Sequence, residues 1–239
     1  MQYHLTHLKQ LTGTQLIQAI MTVPIGVTSL DLRWNGLYNK TGTELAEAFA
    51  AIPKSVISLD LSRNDLDKKN GSELAQALTA IPENVTSLDL SANGLYNKTG
   101  AELAQALTAI PKNVISLNLR GNGLQKLSVE ELNKLNNSLP WVQTIYLCET
   151  EIKAMTTNQR AALKAVFPTI QNIILVDDKW NALGDNNMEA CHYFASQLEL
   201  TKEPPSLKSY AAFFVKHHME PNKYIEILPK ETQEFVNNF

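Results

Sequence analysis

Cysteine is scarce in this 239-residue chain, which holds only Cys148 and Cys191, far apart in sequence. Two such residues make no disulfide framework, so a reducing compartment suits the protein and its stability must come from its core. An excess of one charge is also missing. The net charge is −3; residues 1–125 hold ten basic and ten acidic residues, and residues 126–239 hold eleven and fourteen. No segment is basic enough for the electrostatic footprint of a nucleic-acid binder, so neither DNA nor RNA is expected as a direct partner. No run approaches the ~18 apolar residues of a membrane span. The stretch Met1-Gln2-Tyr3-His4-Leu5 lacks the charged and then apolar regions of a signal peptide. The sequons at Asn39, Asn84 and Asn97 are therefore expected to stay unglycosylated.

Catalytic motifs are thin as well. The five histidines, His4, His7, His192, His217 and His218, give no H-E-x-x-H or C-x-x-C spacing, and no glycine loop could cradle a phosphate. Cys191-His192 and His217-His218 are the nearest things to a metal site, and Cys148 to a nucleophile. None has a partner at the required spacing. No catalytic, metal or cofactor residue is expected, and no enzyme.

What is present is a repeat. Leu30-Asp31-Leu32, Leu59-Asp60-Leu61, Leu88-Asp89-Leu90 and Leu117-Asn118-Leu119 recur every 29 residues. An asparagine follows each (Asn35, Asn64, Asn93, Asn122), and then a leucine (Leu37, Leu66, Leu95, Leu124). Prolines close the units at positions 24, 53, 82, 111, 140 and 168. Between strand and proline, Leu45, Leu74, Leu103 and Leu132 lead to Ile52, Ile81, Ile110 and Leu139 at helical spacing. A capping box opens each helix: Thr12 with Gln15, Thr41 with Glu44, Thr99 with Glu102, Ser128 with Glu131 and Thr156 with Gln159. Asn70 with Glu73 is a close variant. Alternating leucines point one way from a short strand. The asparagine both donates and accepts, so it suits a turn whose backbone groups are buried.

The pattern L-x-L-x-x-N-x-L resembles the leucine-rich-repeat family, and the 28–29-residue interval resembles its ribonuclease-inhibitor-like class. That resemblance implies an α/β solenoid, or horseshoe, with a parallel sheet on the concave face and helices on the convex face. Later units drift: Ile145-Tyr146-Leu147 and Ile173-Ile174-Leu175 continue the strand at an interval of 28, with Thr150 and Asp178 in the asparagine position and Ile152 and Trp180 in that of the following leucine. With a truncated unit around Tyr3–Leu16, about seven units are expected over residues 1–202. Glu203-Pro204-Pro205 then marks a boundary, and residues 203–239 read as a helical cap built on Leu207, Tyr210, Phe214, Phe235 and Val236.

In a repeat scaffold, outward strand positions form columns free to bind. The first column, Asp31, Asp60 and Asp89, reads either as an acidic stripe for a basic partner or simply as a common form of the repeat's consensus. Trp34 and Tyr146 break the template where smaller residues stand elsewhere; with Arg63 and Arg120 they are the residue types that anchor interfaces. A protein partner is expected on this face. The near-copied repeats and short helical end also resemble leucine-rich-repeat effectors of intracellular bacterial pathogens, which implies that the partner is a host protein. Glu226, Glu231, Glu234 and Val236 resemble the acidic tails of some type IV secretion substrates. The resemblance implies a monomer held in the bacterial cytoplasm until it is translocated into the host cytosol. An adaptor that recruits a second partner through its C-terminal helices is the alternative. Leu228-Pro229-x-Glu231 resembles the start of an F-box, although the eight residues after it are too few for that domain.

Overall fold

The structure, a computed structural model, describes residues 1–177 together with 179, 181–183, 195, 196 and 198–200. Its units alternate strand and helix: β1 Gln2–His4, α1 Gly13–Met21, β2 Ser29–Asp31, α2 Gly42–Ala50, β3 Ser58–Asp60, α3 Gly71–Thr79, β4 Ser87–Asp89, α4 Gly100–Thr108, β5 Ser116–Asn118 and α5 Val129–Lys134. Then follow β6 Thr144–Cys148, α6 Glu149–Lys153, α7 Thr157–Val166 and β7 Asn172–Val176. The strands form one parallel sheet in chain order, each paired only with its sequence neighbours. The register is the 29-residue period itself: Leu30 faces Leu59, Leu59 faces Leu88 and Leu88 faces Leu117. The expected solenoid is thus the observed one. The expected cap at 203–239 and the acidic tail within it lie outside the described residues, as do Asp178 and Trp180.

Between sheet and helices runs one continuous core. It takes in Leu30, Leu59, Leu88 and Leu117 of the strands, the leucine two residues after each, the leucine after each asparagine, and helix residues such as Leu45, Leu74 and Leu103, all nearly inaccessible. Burying one such side chain is worth about 1.5–3 kcal/mol, and no unit could do so without its neighbours.

Buried polar ladders tie the units together. Asn64 Nδ2 donates to the carbonyls of Leu61, at 3.0 Å, and of Leu32 in the preceding unit, also at 3.0 Å. Its Oδ1 accepts from the backbone N–H of Asn35, at 2.9 Å, and of Leu37, at 3.3 Å. Asn93 and Asn122 repeat the arrangement one and two units on. Every fold-defining asparagine therefore satisfies backbone groups on two units at once.

The convex side carries a second ladder that sequence reasoning did not find. Lys40, Lys69 and Lys98 are buried. Lys40 Nζ donates to the carbonyls of Lys9, at 2.9 Å, and Leu11. Lys98 Nζ donates to those of Asp67, at 2.9 Å, and Lys69. Burial pushes the Lys98 ammonium below the usual lysine range. The available signal was the strict interval of 29 at which these lysines stand, just before each helix cap.

The reciprocal capping box forms at Thr12, Thr41, Asn70, Thr99 and Thr156. At Ser128 only half of it is present: the hydroxyl accepts from Glu131 N–H at 3.1 Å, while Glu131 Oε1 accepts from Gly100 N–H of the previous unit at 3.3 Å. Glycine opens helices α3 and α4 because the next helix passes so close. A Cβ on Gly71 would lie 2.8 Å from Glu102 Cα, and one on Gly100 would strike the Glu131 carbonyl.

Candidate interface on the concave face

The strands end at Asp31, Asp60, Asp89 and Asn118, and each of these side chains folds back on the turn after it. Asp31 Oδ1 accepts from Arg33 N–H at 3.1 Å, Asp60 Oδ1 from Ser62 N–H at 2.8 Å, Asp89 Oδ1 from Ser91 N–H at 2.7 Å, and Asn118 Oδ1 from Arg120 N–H at 3.2 Å. A carboxylate or amide oxygen that closes its own turn two residues on explains why Asp and Asn alternate in this column. The column therefore has a structural task whatever else it does.

The three aspartates differ in surroundings. Asp31 is buried, with His4 Nδ1 and an Arg33 guanidinium nitrogen each 2.8 Å from its Oδ2. Asp89 Oδ2 accepts from Asn118 Nδ2 at 2.7 Å, with Arg120 at 4.0 Å. Asp60 stands between them and is in no ion pair among the described residues. Desolvation holds its carboxyl above the usual range, and the neighbouring charges of Asp89 and Asp31 add to this against hydrogen bonds from Ser62. Asp60 and Asp89 line a groove of about 210 Å³ together with Ser58, Ser87, Asn118 and Tyr146.

Beyond the strands the chain turns through a left-handed residue in each regular unit. Trp34, Arg63, Ala92 and Gly121 hold this place, with φ of 60°, 55°, 52° and 67°. Their N–H groups reach across to the next unit, Trp34 to Ser62 O at 3.3 Å and Arg63 to Ser91 O at 3.0 Å. Glycine suits such a turn, and a bulky side chain there is a genuine outlier, costing on the order of 1 kcal/mol. Trp34 accepts that strain while standing 69% exposed. The Arg63 guanidinium carbon lies 4.8 Å from the centre of its ring. The sequence singled out both residues; their stacking and the left-handed backbone are new.

The structure does not bring all four expected anchors together. Trp34 and Arg63 touch, and Arg120 sits beside Asp89, but Tyr146 is in β6, four strands from the one that leads into Trp34. At ~4.8 Å per strand the separation is roughly 19 Å. A partner that uses both ends must span most of the concave face.

Cys148 is half-buried at the end of β6, with its sulfur 3.1 Å from Thr150 Oγ1. Next to Thr150, which stands in the asparagine's place in the repeat, Glu151 also reaches the preceding turn, its Oε1 accepting from Gly123 N–H at 2.6 Å. Burial raises the Glu151 carboxyl against the lowering effect of those backbone N–H groups. Cys191, His192, His217 and His218 lie outside the described residues. Among the described residues there is no group of three potential metal ligands, and no helix is long and apolar enough to cross a membrane.

No protein-family model matches this chain, nor does any curated protein. Among solved structures it is similar to the leucine-rich repeat-containing protein LegL7 of Legionella pneumophila, with 41% identity and a TM-score of 0.75 over 85% of this chain. The match covers 64% of that protein, so this chain spans less than two thirds of its relative's length. The tropomodulin C-terminal domain of Caenorhabditis elegans aligns with 66% of this chain and 93% of its own length, at 8% identity and a TM-score of 0.41, too low to carry an argument. Strand register, asparagine ladder and the likeness to LegL7 agree: the chain folds as a leucine-rich-repeat solenoid built of 28–29-residue units.

Proposed function

We propose that the concave face grips a protein partner and acts by occupying it, and that the chain is an effector which a bacterium delivers into the cytosol of a host cell. Trp34 carries the first part. A 69% exposed tryptophan in a left-handed turn buries little surface, and the stack with Arg63 is what the fold gains against its strain. Its equivalents one to three units on are Arg63, Ala92 and Gly121, so the repeat does not demand it. Exposed tryptophan with arginine stacked on it is the composition of an interface anchor. Tyr146 and Arg120 provide the far end of the contact, and the groove runs across the sheet from Gln2 in β1 to Tyr146 in β6. The resemblance to effectors of intracellular pathogens, together with a relative in Legionella pneumophila, supports the second part. The fold supports binding by analogy, since solenoids of this kind offer an extended surface.

The test is affinity capture from eukaryotic cell lysate with wild type and a Trp34→Ala, Tyr146→Ala double variant, both matched for folding by circular dichroism. A protein held by wild type and lost by the variant is the expected result. Retention by both would move the site off the concave face, and capture of nothing would remove the host-cell reading.

A further inference from the structure

We infer that the groove on the concave face takes a lysine side chain of the partner, with Asp60 as the carboxylate that meets its ammonium. This rests on the concave-face reading above and gives it a ligand chemistry. Ser58 and Asp60, Ser87 and Asp89, and Ser116 and Asn118 stand two residues apart on three adjoining strands in register, so all six project to the same side of the sheet. The serines are small, and their row leaves the trough. No lysine or arginine lines it. Among the described residues, the hydroxyls of Ser58, Ser87 and Ser116 hydrogen-bond to no other protein group, so the floor offers oxygens that the fold itself does not use.

The three aspartates differ in what is left to them. Asp31 Oδ2 is met by His4 and Arg33, and Asp89 Oδ2 by Asn118 Nδ2 with Arg120 at 4.0 Å. Asp60 receives hydrogen bonds from Ser62 alone among the described residues, from its N–H on Oδ1 and from its hydroxyl. A carboxylate has about four lone-pair sites, so it can accept a further donor. Arg120 is drawn to Asp89 and Asp60 and opposed by Arg63, but both arginines belong to the turns beyond the strands and neither lines the groove. At Asp60 the charges of Asp89 and Asp31 add to the cost of burial, and a bound cation would relieve both. Lysine suits the place better than arginine. With Oδ1 turned to the Ser62 N–H, the carboxylate does not present two open oxygens to a guanidinium fork, whereas an ammonium has three separate donors to place on Asp60, Ser58 and Ser87.

The probes are fluorescein-labelled peptides of about 15 residues, alternating Lys-Gly, Arg-Gly and Ser-Gly, titrated onto the full chain by fluorescence anisotropy at low salt. The lysine peptide is expected to bind most tightly and the serine peptide not to bind. Asp60→Asn keeps the oxygen that closes the turn, as Asn118 does in the same column, and should weaken the lysine peptide roughly tenfold with circular dichroism unchanged. Glu47→Gln removes the same charge from the exposed side of α2 and should leave that affinity as it is. A preference for the arginine peptide, equal binding of the serine peptide, or binding of none would each overturn the inference. So would lysine binding that Asp60→Asn leaves unchanged or that Glu47→Gln weakens as much. The concave-face reading would survive any of these outcomes if lysate capture still depended on Trp34 and Tyr146.

Discussion

The first five units and the sixth solve one problem with different chemistry. Through Asn122 the buried backbone of each turn is satisfied by a neutral amide that donates to two units and accepts from one. At the end of that run Glu151 reaches back from α6 to Gly123 N–H. The convex ladder changes hands in the same way. Lys98 reaches the carbonyls of residues 67 and 69, whereas two units on the equivalent carbonyls, of Gln125 and Leu127, are met by Gln159 Nε2 at 3.0 and 2.8 Å. Backbone geometry persists where the repeated side chain does not. What the fold conserves along its axis is a set of demands on hydrogen bonding, and several residue types can meet each one.

The largest effect that would break the regular half is Asn93→Ala. It strands acceptors on Leu61 and Leu90 and donors on Asn64 and Leu66, and is expected to cost about 3 kcal/mol or more, read as a drop in urea midpoint. A cost below about 1 kcal/mol would mean that water replaces the ladder.

A smaller effect, in pH, sharpens the contrast with the neutral ladder. Burial raises the Glu151 carboxyl, so the folded state holds its proton to higher pH than the unfolded chain does. Its contribution is most favourable below the ordinary glutamate pKa and declines as pH rises through the raised folded value. Glu151→Gln keeps an acceptor for Gly123 N–H without the charge. Stability measured from about pH 4 to about pH 8 should then decline less with rising pH than in wild type. Identical slopes would show that Glu151 is well solvated.

Smallest is Trp34→Gly, which gives the first full unit the residue that already serves the fifth at Gly121. Relief of the left-handed strain opposes loss of the Arg63 stack, so thermal stability should be unchanged or higher by up to ~1 kcal/mol while partner binding is lost. A clear destabilisation would show that Trp34 belongs to the fold.

Much of this was legible because it was periodic. Leu88, Asn93 and Thr99 occupy positions that recur, and recurrence identified the strand, the turn and the helix cap before any coordinates. The aspartate column was visible too, but its task was not, since an Asp that closes a turn and an Asp that meets a partner look alike in sequence. Depth was invisible: nothing local tells that Asp31 lies under Arg33, or that Lys98 is buried with its ammonium on carbonyls. Glu151 escaped notice because its side chain reaches a neighbouring unit from a helix that the regular repeats lack. Trp34 was noticed for its size, whereas its positive φ depends on the turn shared with Arg63, Ala92 and Gly121.

The glycines at the helix starts set more than local fit. With strands spaced by their hydrogen bonds, the bend of the whole arc depends on how tightly the outer layer is gathered, and Gly71 and Gly100 let each helix start press against its successor. A methyl group there would spread the outer layer and bend the arc more tightly. The distance between Trp34 and Tyr146 across the inner face is thus governed by residues on the opposite side of the molecule, and the grip could be widened or narrowed without altering any residue that touches the partner.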